Sequence, residues 1–357
     1  MTPVDLAARQ TASTESVPIQ GTAFRSSSLR KPDFFLVGAP KCGTSAMAHY
    51  LGWHPDIYLP RKEMNVFGSD LRFGPKFYRR DREAYLDEYA GWQGQLRAGD
   101  ASVWHLFSTQ AAAEIAIFNP EARIIIMLRE PAEMLYSLYW QFRYDGNECL
   151  PTFEEALEAE EDRRGGRRVS RQAYLVQGLV YRETVRYTEQ VRRYFDVFGR
   201  ERVHVIIYDD FVADVRGCYR EVLEFLEVDP SCIPMEFGVI NPAKQARSPV
   251  LRSVLGDPLL RSAVLALRPR LPRLLFAGLQ KLESRLQRSN TRFEKRGPLD
   301  PGLKQALHRQ FVPEIERLSQ LLGRDLRHWR SEEERPPITE GKRIVKDALH
   351  ERVAAAR

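Results

Sequence analysis

Cysteine is scarce in this 357-residue chain, which has it only at Cys42, Cys149, Cys218 and Cys232. Four cysteines over that length do not make a disulfide scaffold, and no pair has the spacing to histidine of a zinc site. We therefore expect a reducing, cytoplasmic environment. Long apolar runs are lacking as well. The sequence has no stretch of 18 apolar residues, so no transmembrane helix is expected.

Signals for export are also missing, because residues 1–30 contain no apolar segment of the signal-peptide kind. Nine of these 30 residues are Ser or Thr, which predicts a flexible N-terminal tail. The charged stretch 331–357 is predicted to form a C-terminal tail or helix. The composition of the chain, 43% hydrophobic and 29% charged, excludes collagen, wholesale disorder and a coiled rod. We expect one globular domain at 31–330, between the two tails.

Short apolar runs alternate with helical stretches along this domain. DFFLVG at 33–38, ARIIIMLR at 122–129 and RVHVIIYDDF at 202–211 are typical of buried strands, and a weaker strand is predicted at 95–102. Helical stretches lie near 44–53, 81–90, 109–118, 131–143, 153–163, 174–198, 214–227 and 302–322. This alternation predicts an α/β fold with a central parallel sheet of about five strands flanked by helices, followed by a helical C-terminal part.

Positive charge is concentrated in one segment. Residues 247–296 hold 12 Lys or Arg and three acids, a net charge of +9, whereas the rest of the chain sums to −3. Apolar residues alternate with the arginines at helical spacing, which predicts a basic amphipathic helical segment. Two interpretations stay open for it: a solvated helical face, or a lid facing an anion or a membrane surface.

The most specific motif is FFLVGAPKCGTSAM at 34–47, a glycine loop between a strand and a helix. Gly38 and Gly43 let the backbone approach an anion, and the helix N-terminus directs amide groups at it. Thr44 and Ser45 add hydroxyl donors. The sheet is therefore expected to begin like that of a P-loop protein, with an anion held at the first loop.

A nucleotide kinase is one alternative for such a loop, and the sequence argues against it. The residue after the second glycine is Thr44, where a triphosphate P-loop has lysine, and the lysine lies inside the loop as Lys41. The second strong strand ends at Leu128 and Arg129 and supplies no carboxylate for Mg²⁺. No metal site is expected.

With lysine inside it, the loop resembles the 5′-phosphosulfate loop of sulfotransferases that use 3′-phosphoadenosine 5′-phosphosulfate (PAPS). The family's second motif resembles ARIIIMLREPAEMLYSLY, which supplies Arg129, Pro131 and Ser137. The resemblance implies that Arg129 and Ser137 bind the 3′-phosphate of the donor. It also implies that the 5′ side is bound by the loop residues Pro40, Lys41, Cys42, Gly43, Thr44 and Ser45. Among late basic residues it suggests Arg292, Lys295 and Arg296 as a cover for the 3′-phosphate.

The segment HPDIYLPRKEMNVFGSD at 54–70 resembles the acceptor side of carbohydrate-type and bacterial members. The resemblance implies a carbohydrate or glycosylated metabolite as acceptor, with Glu63 as the general base and Lys41 at the leaving phosphate. His105 is the alternative base, because a neutral imidazole accepts protons near neutral pH.

The function predicted from the sequence is therefore transfer of a sulfuryl group to an acceptor hydroxyl. The alternative from another class is a non-catalytic protein that binds anions or a membrane surface through 247–296. No nucleic-acid partner is expected, and the oligomeric state stays open.

Overall fold

The computed structural model describes residues 30–60, 63–74, 81–238, 244–246, 289, 291–293 and 297–330. The predicted tails, 1–30 apart from its last residue and 331–357, lie outside the described residues. So does most of the basic segment 247–296.

A five-stranded parallel sheet forms the centre of the protein, as predicted. Its strands are β1 (Phe34–Gly38), β2 (Ile57–Tyr58), β3 (Arg97–Asp100), β4 (Arg123–Leu128) and β5 (Val203–Ile207). They lie side by side in the order β2-β3-β1-β4-β5, and every neighbouring pair is parallel. All five residues of β1 are buried, which explains the unbroken apolar run in the sequence. The loops after β3, β1 and β4 therefore emerge next to one another at one edge.

Helices cover the sheet. They are α1 (Thr44–Leu51), α2 (Arg82–Asp87), α3 (Ala111–Phe118), α4 (Pro131–Asp145), α5 (Phe153–Glu158), α6 (Glu160–Arg164), α7 (Tyr181–Thr184), α8 (Tyr187–Phe198), α9 (Tyr208–Ala213), α10 (Val215–Phe225) and α11 (Pro301–Leu322). Single 3-10 turns lie at Gln177–Leu179, Arg200–Arg202 and Arg327–Trp329. The fold class predicted from the sequence is confirmed.

Helix α4 illustrates how local sequence sets an element. Pro131 occupies the first turn, and the Glu130 side chain accepts hydrogen bonds from the amides of Ala132 and Glu133. Gly146 ends the helix in the left-handed conformation, at φ 79°. Both ends of α4 are therefore fixed, and the helix presents a rigid face to the loop after β1.

Several local predictions differ from the structure. The strand predicted at 202–211 ends at Ile207, and α9 begins at once, because Asp209 and Asp210 stabilise the first turn of that helix. The helix predicted at 174–198 is broken, and its first part is held by tertiary contacts: the Asn147 side chain accepts hydrogen bonds from the amides of Tyr174 and Leu175. Strand β2 was not predicted, since two residues carry no periodicity.

A small antiparallel pair lies beside α4. It consists of β6 (Lys244–Ala246) and β7 (Thr291–Phe293), with Gln245 opposite Arg292. The strand at 291–293 corrects the prediction of helix through the whole of 247–296. A β-branched threonine and a phenylalanine favour the extended form here, and the partner strand provides the hydrogen bonds.

Helix α11 closes the domain against α8 and α4. It buries an apolar face consisting of Leu307, Phe311, Ile315 and Leu318. Its Glu314 side chain accepts a 2.7 Å hydrogen bond from the amide of Thr188 at the start of α8. Further on, the Trp329 indole donates to Asp209 over 2.7 Å. The C-terminal part is thus an integral layer of the fold.

Candidate active site

The loop after β1 is shaped by two glycines. Gly38 has φ 154°, and a Cβ there would lie 2.6 Å from the Cβ of Leu106. Gly43 has φ 89°, which other residues rarely adopt, and precedes the first residue of α1. The first turn of α1 has no side-chain cap and no acidic residue. Because the amides at a helix N-terminus attract negative charge, this turn is suited to an anion.

Thr44 and Ser45 begin α1 next to this loop. Thr44 is buried, and Ser45 is half-buried. The side chain of Cys42 faces the interior instead: it is fully buried, and its Sγ lies 3.4 Å from the carbonyl oxygen of Pro40. Burial raises the pKa of the Cys42 thiol to about 12, so the thiol stays protonated at neutral pH. Of Cys42, only the backbone is suited to ligand contact.

Lys41 is half-buried and has a left-handed backbone, with φ 64°. Its Nζ donates a hydrogen bond to Oε1 of Gln141 on α4, over 3.0 Å. Nε2 of Gln141 in turn donates to Oδ2 of Asp145, over 2.9 Å. The lysine of the loop is therefore connected to the last turn of α4.

Arg129 follows β4 at the same edge of the sheet. Its guanidinium carbon lies 4.8 Å from the centre of the Tyr208 ring, and its Nη2 lies 3.3 Å from Oε2 of Glu133. Along α4, Ser137 follows Glu133 by one turn and Gln141 follows Ser137 by another, so the three share one face. Ser137 is half-buried. The structure thus brings Arg129, Ser137 and Lys41 to one stripe of α4.

Glu63 lies at the neighbouring strand end. It is exposed and left-handed, with φ 63°, and its amide donates to the carbonyl of Ala101 over 2.9 Å. Two residues on, the amide of Asn65 donates to Oγ of Ser102 over 3.1 Å, and the Asn65 side chain donates to the carbonyl of Glu63 over 3.3 Å. These bonds fix the Glu63 backbone to the segment after β3, and β3 is the direct neighbour of β1.

Asp100 lies behind this segment, and sequence reasoning did not select it. It is fully buried, and Oδ2 accepts a 3.0 Å hydrogen bond from the hydroxyl of Tyr85. Burial raises the pKa of Asp100 to about 6, and the negative charge of Glu63 adds to the rise. The signal in the sequence was its place at the end of a predicted strand.

Tyr174 was also missed, since it lies in a segment predicted as helix. Burial raises the pKa of its hydroxyl well above the usual range, and the negative charges of Asp145 and Glu63 act in the same direction. Tyr174 therefore lies near both carboxylates, and its ring packs edge-on against Phe142. It thus lies between the end of α4, which it contacts, and the Glu63 carboxylate, whose charge acts on it.

His105 occupies a different environment. It is 1% exposed, its ring packs edge-on against Phe67, and neither ring nitrogen has a hydrogen-bond partner among the described residues. Burial lowers the pKa of His105 to about 3, so the imidazole is neutral. This position favours a packing role over contact with an acceptor.

The late basic residues are described only in part. The backbone of Arg292 belongs to β7, in the small pair beside α4. Lys295 and Arg296 lie outside the described residues. The part of α4 nearest to this region also contacts the following loop, since the hydroxyl of Tyr136 donates to the carbonyl of Gly297 over 3.1 Å.

In the described part of the chain, no three His, Cys, Asp or Glu side chains lie together as a metal site would need. No helix in this part combines the length and the apolar character of a membrane span.

Comparison with known proteins assigns this fold and loop to a class. The family model described as sulfotransferase domain matches residues 31–239, more than half of the chain. The chain therefore belongs to the sulfotransferase family, and the resemblance seen in its sequence is confirmed.

Individual relatives are similar over part of their length. Carbohydrate sulfotransferase 15 of Mus musculus is 27% identical over 293 residues, covering 66% of this chain and 50% of that protein. Heparan sulfate glucosamine 3-O-sulfotransferase 3B1 of Homo sapiens is 26% identical over 137 residues, covering 38% of this chain and 33% of that protein. The chain spans at most about half the length of these curated relatives.

One solved structure is similar throughout. The sulfotransferase from Alicyclobacillus acidocaldarius is 30% identical and superposes with a TM-score of 0.61, covering 85% of this chain and 100% of that one. The similarity therefore extends well beyond the phosphate loop.

Proposed function

We propose that this protein transfers a sulfuryl group from PAPS to a hydroxyl of a carbohydrate or glycosylated metabolite. The observation that carries the proposal is the shared stripe of α4, which places Lys41 of the loop at one end and Arg129 at the other. Their partners Gln141 and Glu133 are eight residues apart, about 12 Å along a helix. Two cations held at these two positions of the helix suit a nucleotide with two separate anionic groups better than one phosphate.

The donor is assigned to the residues that fit its two ends. The uncapped first turn of α1 and the loop residues 40–45 suit the phosphosulfate, since amides and a lysine favour negative charge there. Arg129 and Ser137 suit the 3′-phosphate, because a guanidinium binds phosphate oxygens in pairs. Arg292, Lys295 and Arg296 are assigned to the same phosphate by resemblance alone.

Transfer requires the protein to take up the proton of the acceptor hydroxyl and to stabilise the leaving group. The acceptor oxygen forms a bond to sulfur while the bond from sulfur to the bridging phosphate oxygen breaks, and adenosine 3′,5′-bisphosphate leaves. The acceptor proton passes to Glu63 as general base. Lys41 and the amides of the loop stabilise the charge that develops on the leaving phosphate.

Glu63 is preferred over His105 as the base for a geometric reason. The Glu63 side chain is exposed at the edge of the sheet where the loop lies, whereas the His105 ring is enclosed by the core. A base must come within hydrogen-bonding distance of the hydroxyl that it deprotonates. The hydrogen bonds from Glu63 and Asn65 to the segment after β3 support a fixed position for this carboxylate.

The acceptor class rests on the segment 54–70 and on the names of the relatives, two of which act on carbohydrates. A panel of sugars and glycosylated natural products, incubated with donor carrying labelled sulfate, tests this assignment. Transfer to at least one sugar hydroxyl is expected. A protein that binds the nucleotide but transfers no sulfate to any member would instead be a non-catalytic binding protein.

Donor binding is tested separately with adenosine 3′,5′-bisphosphate. Binding raises the melting temperature by mass action, and we expect an equal rise in excess EDTA. A strict requirement for Mg²⁺ would overturn the proposal in favour of a nucleotide kinase.

A further inference from the structure

The hydrogen bonds from Lys41 to Gln141 and from Gln141 to Asp145 form a chain with a defined direction. A carboxylate only accepts hydrogen bonds, so Asp145 must receive the NH₂ group of the Gln141 amide. The oxygen of that amide is then turned to the other side, where it accepts from the Lys41 ammonium over 3.0 Å. Asp145 therefore decides which end of Gln141 faces the lysine.

Such control is useful because a lysine side chain is flexible. A flexible stem of four carbons separates the ammonium from the backbone, so a lysine side chain that nothing holds samples many positions. Electrostatic stabilisation of a transition state depends on a charge that is already in place. Gln141 and Asp145 are both half-buried on a helix whose two ends are capped, so they are rigid enough to hold the ammonium.

The hydrogen-bond chain from Lys41 also ends close to the residues assigned to the acceptor. Asp145 is the last residue of α4, and its charge acts on Tyr174, which lies near Glu63 as well. Asp145 and Glu63 thus both lie near one tyrosine, Tyr174.

We infer that Gln141 and Asp145 are positioning residues that hold the Lys41 ammonium at the donor site. This inference rests on the proposed function for its catalytic consequence, but the placement of Lys41 can be measured without turnover. Neither residue touches the reacting atoms. Both act through the lysine.

A charge-swapped pair gives the sharpest test. In Gln141→Glu, two carboxylates face each other at 141 and 145, so the chain breaks and kcat should fall at least tenfold, the effect of losing a charge-assisted hydrogen bond. In the double variant Gln141→Glu with Asp145→Asn, the asparagine donates to the new carboxylate, which accepts from Lys41. Both hydrogen bonds are then restored with the same total charge as in the wild type, and kcat should return to within about threefold of the wild-type value.

Asp145→Asn is therefore expected to have opposite effects in two backgrounds. Alone it replaces a charged acceptor by a neutral one and should lower kcat by roughly two- to fivefold. Combined with Gln141→Glu it should raise kcat. Gln93→Glu, at an exposed turn remote from α4, adds the same charge as a control and should leave kcat unchanged. If Asp145→Asn lowers kcat in both backgrounds, the inference is overturned.

Dependence on the lysine separates positioning from general stability. Gln141→Met removes both hydrogen bonds and keeps the length of the side chain. It should lower kcat in the wild type and have no further effect in Lys41→Ala, since there is then no ammonium to hold. An equal loss in both backgrounds shows that Gln141 acts independently of Lys41 and refutes the inference.

The placement of the lysine is finally measured by brief acylation with acetic anhydride and mass spectrometry. Lys304, whose partner Glu133 is not altered, is the internal reference. Loss of its hydrogen bond should make Lys41 roughly three- to tenfold more reactive in Gln141→Met. Unchanged reactivity overturns the inference even for a protein that transfers no sulfate, whereas increased reactivity without sulfate transfer would leave it standing and reject only the proposed function.

Discussion

Arg129 and Glu133 form an ion pair across one turn at the start of α4, with Nη2 and Oε2 3.3 Å apart. The other oxygen of Glu133 lies 3.1 Å from Nζ of Lys304, at the start of α11. The carboxylate thus holds two cations in position before any nucleotide arrives. A 3′-phosphate bound by Arg129 would experience this carboxylate as a nearby like charge.

Arg129→Ala is expected to weaken the binding of adenosine 3′,5′-bisphosphate far more than the binding of adenosine 5′-monophosphate. Loss of a charged hydrogen bond corresponds to about 2–3 kcal/mol of binding free energy. Calorimetric titration of both nucleotides measures the difference. Glu133→Gln is the matched variant and should bind the bisphosphate more tightly, because a like charge is removed. Equal weakening of both nucleotides by Arg129→Ala would contradict the assignment.

Glu63→Gln should lower kcat by a factor of roughly 10²–10⁴ and leave affinity for the bisphosphate nearly unchanged, because the amide keeps the shape of the side chain but cannot take the proton. Lys41→Ala should lower kcat and should also weaken binding of the donor, because we assign the lysine to contact with the phosphate in both the ground state and the transition state. Steady-state kinetics with a binding measurement on each variant decide between these patterns.

His105→Asn is the comparison for the base. With the ring enclosed by the core, we expect its kcat to stay far closer to that of the wild type than the kcat of Glu63→Gln. An inactive His105→Asn protein, correctly folded and still binding the bisphosphate, beside a Glu63→Gln protein that keeps more than about a third of the activity would make His105 the base.

His105 also predicts a sensitivity to acid. Its pKa is lowered to about 3 in the folded protein, so the unfolded chain takes up the proton first as the pH falls below about 6.5. The stability contributed by the neutral ring is present above that pH and is lost towards pH 3. As the pH falls from 6 to 4, the free energy of unfolding of His105→Phe should therefore rise relative to that of the wild type by about 1 kcal/mol for each pH unit. Urea unfolding at several pH values measures this.

Asp100 predicts the opposite dependence on pH. Its pKa is raised to about 6, so between pH 4 and 6 the folded protein keeps a proton that the unfolded chain has lost. Stability from Asp100 is therefore largest at low pH and falls as the pH rises through 6. As the pH rises from 4 to 7, the free energy of unfolding of Asp100→Asn should increase relative to that of the wild type by on the order of 2–3 kcal/mol. A difference that does not vary with pH would show that Asp100 titrates normally.

The sequence was sufficient for the elements that local pattern determines. β1 and β4 are unbroken apolar runs, and parallel strands buried on both faces require such runs. The loop between Gly38 and Gly43 was recognisable because its glycines have backbone angles that other residues avoid. These features also located Lys41, in the loop after β1, and Arg129, directly after β4.

The rest of the site depends on contacts between distant segments. Gln141 is an ordinary polar residue on a helix until α4 places it beside Lys41, 100 positions earlier in the chain. Tyr174 and Asp100 gain their surroundings in the same way. For His105 the sequence offered the role of an alternative base, whereas its burial and the edge-on contact with Phe67 show that the ring lies in the core. Periodicity contains no information on which long-range neighbour an exposed-looking residue will meet.

The family model ends at residue 239, yet part of the support of the phosphate loop comes from beyond that point. Glu314 of α11 accepts from the amide of Thr188, and the preceding residue, Tyr187, lies beside the Cys42 thiol inside the loop. Shortening the chain to the part that defines family membership would remove this brace and expose the apolar sides of α8 and α11. The segment that identifies the family is therefore shorter than the segment that must fold as one unit. A graft or a truncation of this domain should keep α11 and the residues up to Trp329.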